Sequence, residues 1–202
     1  MHAAWAAALR LRGSRAHPHL PPLIVMTDAA RQPDARDVLA CLPPGAALCL
    51  RDYGLAGRAA LAHDLARTAR ARGVRFMVAG DVRLAIACGA WGVHLPEALA
   101  RRRRLPLALA ARHGLAVTMA AHSQRAAAFA AREVRGGIDA IVISPVFATR
   151  SHPDAAPLGP LGFLRIAAAA GGLPAYGLGG LTAAAAARLA PACPAGIAGI
   201  GF

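Results

Sequence analysis

The sequence predicts an α/β protein, a short (β/α)8 barrel of the TIM-barrel class, from three observations. Short apolar runs alternate with Ala/Leu/Arg stretches of helical period, and alternating strand and helix argues for a parallel sheet. Eight such runs occur in 202 residues, enough strands to close a barrel at the short end of its size range. Polar residues gather just after the runs, at the strand ends where parallel α/β proteins hold their ligands.

The elements follow in order. The runs lie at 23–27, 47–51, 75–79, 92–95, 116–120, 140–143, 175–178 and 196–200. Helix-like segments between them include 57–72, 82–88, 123–135, 161–170 and 182–189. The pattern ends at Phe202, directly after the eighth run. A barrel without an eighth helix is therefore expected, with a flank to cover between strands eight and one. A helix over 3–11, with Trp5 and Leu9 facing inward, is the chain's own candidate, and a second subunit is the alternative. The domain plan is then an N-terminal helix and connector over 1–22 and a single barrel over 23–202. The end of that first segment, 13–22, is rich in Gly, His and Pro, as a connector should be.

Composition removes several function classes. All 23 basic residues are Arg, and the chain has neither Lys nor Asn. No side chain can then form a Schiff base with a carbonyl substrate, which removes the lysine-dependent aldolases. Hydrophobic residues make up 56% of the chain, yet Arg, Gly or His interrupts every stretch of membrane-spanning length. The N-terminus has no basic lead and no clear cleavage site, and reads as an amphipathic helix. Cys41, Cys49, Cys88 and Cys193 are widely spaced without a CxxC, as expected of reduced thiols in a cytoplasmic protein. The net charge of +13 suits an anionic metabolite, a nucleic acid or a membrane surface. The Arg cluster at 101–104 has no aromatic interleaving and reads as a solvated face, which weighs against nucleic acid.

At the strand ends the residues form one set. Thr27 and Asp28 follow strand one, and Arg51, Asp52 and Tyr53 follow strand two. Gly80 and Asp81 end strand three, and His94 ends strand four with Glu97 soon after. His122 and Ser123 follow strand five. Ser144, Thr149, Ser151 and His152 follow strand six, and Gly177, Gly179 and Gly180 end strand seven. Hydroxyls spaced two apart at Thr149 and Ser151 suit the oxygens of a phosphorylated ligand. The turn Gly179-Gly180-Leu181-Thr182 lets backbone amides approach an anion at a helix start. Each residue alone also has a structural reading. An Asp at a strand end caps the next helix, His94 can be a hydrogen-bonded core residue, Arg51 can pair with a neighbouring Asp, and the glycines can form a tight turn. Their placement at successive strand ends is what favours a site.

The motifs Ile24-Val25-Met26-Thr27-Asp28, Leu50-Arg51-Asp52, Gly80-Asp81-Val82-Arg83-Leu84-Ala85 and Gly92-Val93-His94-Leu95 come in that order. They are followed by His122-Ser123, Pro145-Val146-Phe147-Ala148-Thr149-Arg150-Ser151 and Gly177-Leu178-Gly179-Gly180-Leu181. In this order and spacing the chain resembles the thiamine phosphate synthase and thiazole tautomerase family of (β/α)8 barrels.

The resemblance implies a protein of thiamine biosynthesis. The synthase joins a pyrimidine diphosphate to a thiazole phosphate, releasing pyrophosphate with magnesium. On the thiazole-phosphate side it implies phosphate binding by Thr149, Ser151, Gly179 and Gly180, with Tyr53 and His94 also facing the ligand. On the pyrophosphate side Arg51 matches, but Tyr53 and His152 stand where the family has Lys. Gly80 stands for an Asn, Leu99 for the second metal-binding Asp, Ala120 for a Ser, and Gly201 for a Ser after strand eight. That leaves Asp81 for Mg2+, with Glu97 as a neighbouring carboxylate. Diphosphate departure needs cations and metal to stabilise the developing charge, so this half of the site reads as degraded. The tautomerase branch instead moves a proton on a thiazole carboxylate phosphate. Its catalytic His falls at Pro145, and His122 or His152 is the substitute, with His94 third. A non-catalytic barrel that binds a phosphorylated ligand is the remaining alternative. The expected partner is a small phosphorylated metabolite, with a homodimer as a further expectation.

Overall fold

Eight parallel strands close into a barrel in chain order, β1 pairing with both β2 and β8. The computed structural model describes residues 2–11, 17–31, 34–102, 105–133, 137–149, 155–192 and 194–200. The strands are β1 (Leu23–Met26), β2 (Ala47–Leu50), β3 (Arg75–Ala79), β4 (Gly92–Leu95), β5 (Ala116–Ala121), β6 (Ala140–Ile143), β7 (Ala175–Leu178) and β8 (Gly196–Gly199). The helices are α1 (His2–Leu11), α2 (Ala35–Ala40), α3 (Arg58–Ala71), α4 (Val82–Ala87), α5 (Glu97–Arg102), α6 (Leu105–Arg112), α7 (Gln124–Arg132), α8 (Gly159–Ala169) and α9 (Ala183–Ala187).

The predicted strands all form, because each run is largely apolar on both faces. Alternation across a strand sends its side chains into two separate cores. Ile24, Met26, Cys49, Met77, Val142 and Tyr176 fill the barrel interior. Val25, Leu48, Val78, Val93, Ile141 and Ile143 pack outward against the helices. Much of the interior is Ala, and Tyr176 fills the remaining width. Its buried hydroxyl donates to Pro21 O at 2.7 Å, just before β1, and so closes the N-terminal end of the barrel.

Caps set where several helices begin. Asp34, Asp81, Ser123 and Thr182 each accept a backbone N–H of the following helix. Ser123 and Thr182 therefore precede their helices instead of lying inside them. α8 begins two residues before the predicted start, with Pro160 in its first turn, where the missing N–H is harmless. Three helices fall outside the predicted ranges. Of these, α2 and α5 are six residues long, too short to display a helical period.

α1 packs against α9, β8 and β1, the flank between strands eight and one. Its inward face corrects the expectation. Ala4, Ala7, Ala8 and Leu11 are buried, a stripe at i, i+3, i+4 and i+7, whereas Leu9 is 46% exposed. Small side chains on that stripe allow close packing, and Leu9 lies about 100° round the helix from Ala8. Trp5 is half-buried, its Cη2 3.6 Å from the place of a Cβ on Gly45. None of the described helices is long and apolar enough to cross a membrane.

Candidate functional site

The C-terminal mouth is organised by an ion-pair and hydrogen-bond lattice at the ends of β1 and β2. Thr27, buried at the β1 exit, donates through Oγ1 to Asp52 Oδ2 and accepts from the Arg51 N–H at 2.9 Å. Asp52 Oδ1 accepts from the Ala29 N–H at 2.7 Å. Arg51 Nη2 donates to Asp28 Oδ2 at 3.0 Å, and Asp28 Oδ1 accepts from the Ala30 N–H at 3.1 Å. Asp28 and Asp52 thus fix the β1 loop and orient Arg51. A cleft of about 390 Å3, lined in part by Thr27, Asp34, Arg36, Asp52, Leu55 and Leu61, opens beside this lattice.

The floor is a His–Thr pair. The β4–β5 register sets His94 opposite Thr118, and alternation points both inward. His94 Nδ1 and Thr118 Oγ1 are 2.9 Å apart, and both residues are buried. Burial first, then the charges of Arg51 and His122, lowers the His94 pKa to about 4. His94 is therefore a neutral imidazole at neutral pH.

His122 is exposed at the β5 exit. Its Nδ1 lies 2.9 Å from Ser144 O and 3.4 Å from Ser144 Oγ. A carbonyl only accepts, so Nδ1 carries the proton and Nε2 of the neutral ring keeps its lone pair. That arrangement suits a general base. Glu97 joins the same wall. Its Oε1 accepts from Arg101 Nη1 at 2.9 Å and its Oε2 from the His122 N–H at 3.4 Å. A cavity of about 690 Å3 is lined by Pro96, Glu97, Ala98, Arg101 and His122.

The β6 and β7 loops lie side by side. Val146 N–H donates to Leu178 O at 2.9 Å and Phe147 N–H to Gly179 O at 3.0 Å. Gly180 has φ +61°, and a Cβ there would overlap Ala148 O and lie 2.8 Å from Phe147 Cβ. The glycine at 180 is thus required by the neighbouring loop as well as by its own turn. Thr149 is half-buried at the end of the described β6 loop. Ser151 and His152 lie outside the described residues.

Asp81 follows β3 and commits Oδ1 to the Leu84 N–H at 2.9 Å, capping α4. The described residues do not build a divalent-cation cage of their own. Glu97 already pairs with a guanidinium, one Asp81 oxygen is a cap, and no group of three His, Cys, Asp or Glu converges among the described residues.

Tyr53, 57% exposed in the β2–α3 loop, lies against Gly80: its Cε1 is 2.7 Å from where a Cβ on Gly80 would sit. Partial burial raises the phenol pKa. Arg58, which the sequence reading did not single out, lies over the same ring, Cζ 5.7 Å from its centroid. Arg58 Nη2 donates to Leu50 O at 3.2 Å and Ala79 O at 2.7 Å, the carbonyls at the ends of β2 and β3. Its Nε is buried with no partner among the described residues. A signal existed. Arg58 is the first residue of α3, where the helix dipole disfavours a cation, so a tertiary role was the better reading.

The comparisons bear on the fold and the family. No curated protein matches the sequence significantly. Among solved structures, thiamine phosphate pyrophosphorylase from Pyrococcus furiosus superposes with a TM-score of 0.73 at 23% identity, over 91% of this chain and 86% of that one. An HpcH/HpaI aldolase from Desulfitobacterium hafniense gives 0.64 at 14%, over 89% and 86%. A glycerol uptake operon antiterminator regulatory protein from Listeria monocytogenes gives 0.59 at 12%, over 88% and 91%. At these identities the structures establish the barrel, which hosts unrelated functions. The family assignment comes from the sequence itself, since the model described as thiamine monophosphate synthase matches residues 23–201, nearly all of the barrel whose mouth is described above. The chain belongs to the thiamine monophosphate synthase family.

Proposed function

We propose that this protein binds a thiazole phosphate or thiamine phosphate at its C-terminal mouth, and that the half of the site serving a diphosphate leaving group is degraded. The observation that carries the reading is the docking of the β6 loop on the Gly179-Gly180 turn. It brings together the two segments that the family resemblance assigns to the ligand phosphate, with Thr149 at their edge. Arg51, held by Asp28, supplies fixed positive charge at the same mouth. Binding a monophosphate needs no more than such donors. Transfer also requires stabilising a departing diphosphate, and Tyr53 and the committed Asp81 and Glu97 do not supply that. The partner in this reading is a small phosphorylated metabolite and the setting is cytoplasmic.

Calorimetric titration with hydroxyethylthiazole phosphate tests the proposal. Micromolar binding that Thr149→Ala and Ser151→Ala together abolish is the expected result. Absence of binding by the unaltered protein overturns it. Rapid turnover of thiazole phosphate with the pyrimidine diphosphate would instead overturn the degraded half.

One observation favours a second reading, tautomerase-like proton transfer on the bound thiazole. The Ser144 carbonyl fixes the His122 tautomer with Nε2 available as a base. If so, His122→Gln retains ligand binding and loses proton exchange at the thiazole ring, followed by NMR in deuterated water. Unchanged exchange in His122→Gln removes this role.

A further inference from the structure

We infer that Tyr53 is a specificity-determining residue, which closes the mouth to diphosphates by covering the Arg58 guanidinium. The inference deepens the proposal of a monophosphate site with a degraded diphosphate half, and rests on it.

Three contacts build the device. Tyr53 lies on Gly80, at a point where any side chain would collide with the ring. Arg58 sits over the ring, and its Nη2 is tied to the carbonyls of Leu50 and Ala79. These carbonyls mark the ends of β2 and β3, so the cation is fixed at the mouth and does not trail into solvent. Its Nε–H is buried and makes no hydrogen bond among the described residues. A guanidinium recognises phosphate oxygens through a planar fork of donors. Here one arm of the fork is committed to the backbone, another donor is buried, and the guanidinium lies against the Tyr53 ring. The ring itself puts an apolar face and a neutral phenol where an anion would approach. Gly80 and Tyr53 are thus one unit: a residue with a Cβ at 80 and a ring at 53 cannot both keep their places. The φ of +71° at Gly80 is one that Asn tolerates better than other side chains, so the pair can be separated experimentally.

The test is calorimetric titration of the full chain with inorganic pyrophosphate. Tyr53→Ala should bind pyrophosphate about tenfold tighter than the unaltered protein, the scale of one charge-assisted hydrogen bond. Tyr53→Phe, which keeps the ring, should bind as the unaltered protein does. Gly80→Asn, which displaces the ring without removing it, should shift affinity in the same direction as Tyr53→Ala. Adding Arg58→Met to Tyr53→Ala should remove the gain. Tyr53 is largely exposed, so Tyr53→Ala should keep its melting temperature. Agreement between Tyr53→Ala and Gly80→Asn still decides the matter if the Arg58 variant fails to fold. Unchanged pyrophosphate affinity in Tyr53→Ala overturns the inference, as does a gain that survives Arg58→Met. A parallel titration with hydroxyethylthiazole phosphate separates the two ideas: its failure removes the proposed ligand, whereas the pyrophosphate series reports on Tyr53 alone.

Discussion

Replacing Gly180 by Ala should cost about 3 kcal/mol of stability, and much more than the same change at Gly114. At both positions the backbone is left-handed, φ +61° at Gly180 and +65° at Gly114, so an added Cβ costs about 1 kcal/mol from conformation alone. At Gly114 nothing lies within 4 Å of that Cβ. At Gly180 it would overlap Ala148 O and press on Phe147, so the β6 loop must retreat. Retreat breaks Val146 N–H to Leu178 O and Phe147 N–H to Gly179 O, each worth about 1 kcal/mol. Urea denaturation of the two variants against the unaltered chain measures the difference, with unchanged m-values required for the comparison. Hydroxyethylthiazole phosphate affinity should fall in Gly180→Ala and hold in Gly114→Ala. Equal losses of stability at the two positions would refute the claim that the β6 and β7 loops form one packed unit.

Two other outcomes follow from buried titratable groups. His94 has a folded pKa of about 4 against 6.5 when unperturbed, so the unfolded chain binds more protons between those values. Stability should therefore fall as pH drops from about 6.5 to about 4, by at most about 3 kcal/mol, and His94→Gln should flatten that slope in denaturation curves taken across the window. Burial pushes the Cys49 thiol up to about 12, whereas Cys41 is exposed. Alkylation at neutral pH followed by mass spectrometry should label Cys41 in the native protein and Cys49 only after unfolding. Labelling of Cys49 at the rate of Cys41 would show that the barrel interior opens readily.

The barrel was legible because its signals are local. Each strand is a short apolar run with a polar exit, and eight of them in order leave few other architectures. The caps at Ser123 and Thr182 shifted helix starts by one residue without altering the fold, and the Asp81 cap left the predicted start of α4 in place. What the sequence concealed depends on contacts distant along the chain. Leu9 looks like a core residue of α1, yet the alanine stripe is the buried face because α9 and β8 approach closely there. Thr118 gave no signal as the partner of His94, since that pairing depends on β4–β5 register. Arg51, Asp28 and Asp52 could be placed at the mouth from sequence, but not the lattice that ties Asp52 to Thr27 and the β1 loop.

That lattice changes how charge at the mouth should be understood. Asp81 and Glu97 look in sequence like candidate metal ligands, and Asp28 and Asp52 stand with them among the carboxylates at the strand ends. Each instead accepts hydrogen bonds from its own surroundings: a guanidinium for Asp28 and Glu97, and backbone N–H groups for Asp52 and Asp81. Carboxylates engaged in this way hold loops in place and partly neutralise one another's cations. In a chain of net charge +13, the remaining field still favours an anion. Such a field can draw a phosphorylated ligand to the mouth and retain it. It does not by itself aim donors at oxygens that become charged only as a bond breaks, which is what group transfer demands. Binding and transfer therefore place separate requirements on this barrel, and Tyr53 on Gly80 is where they diverge.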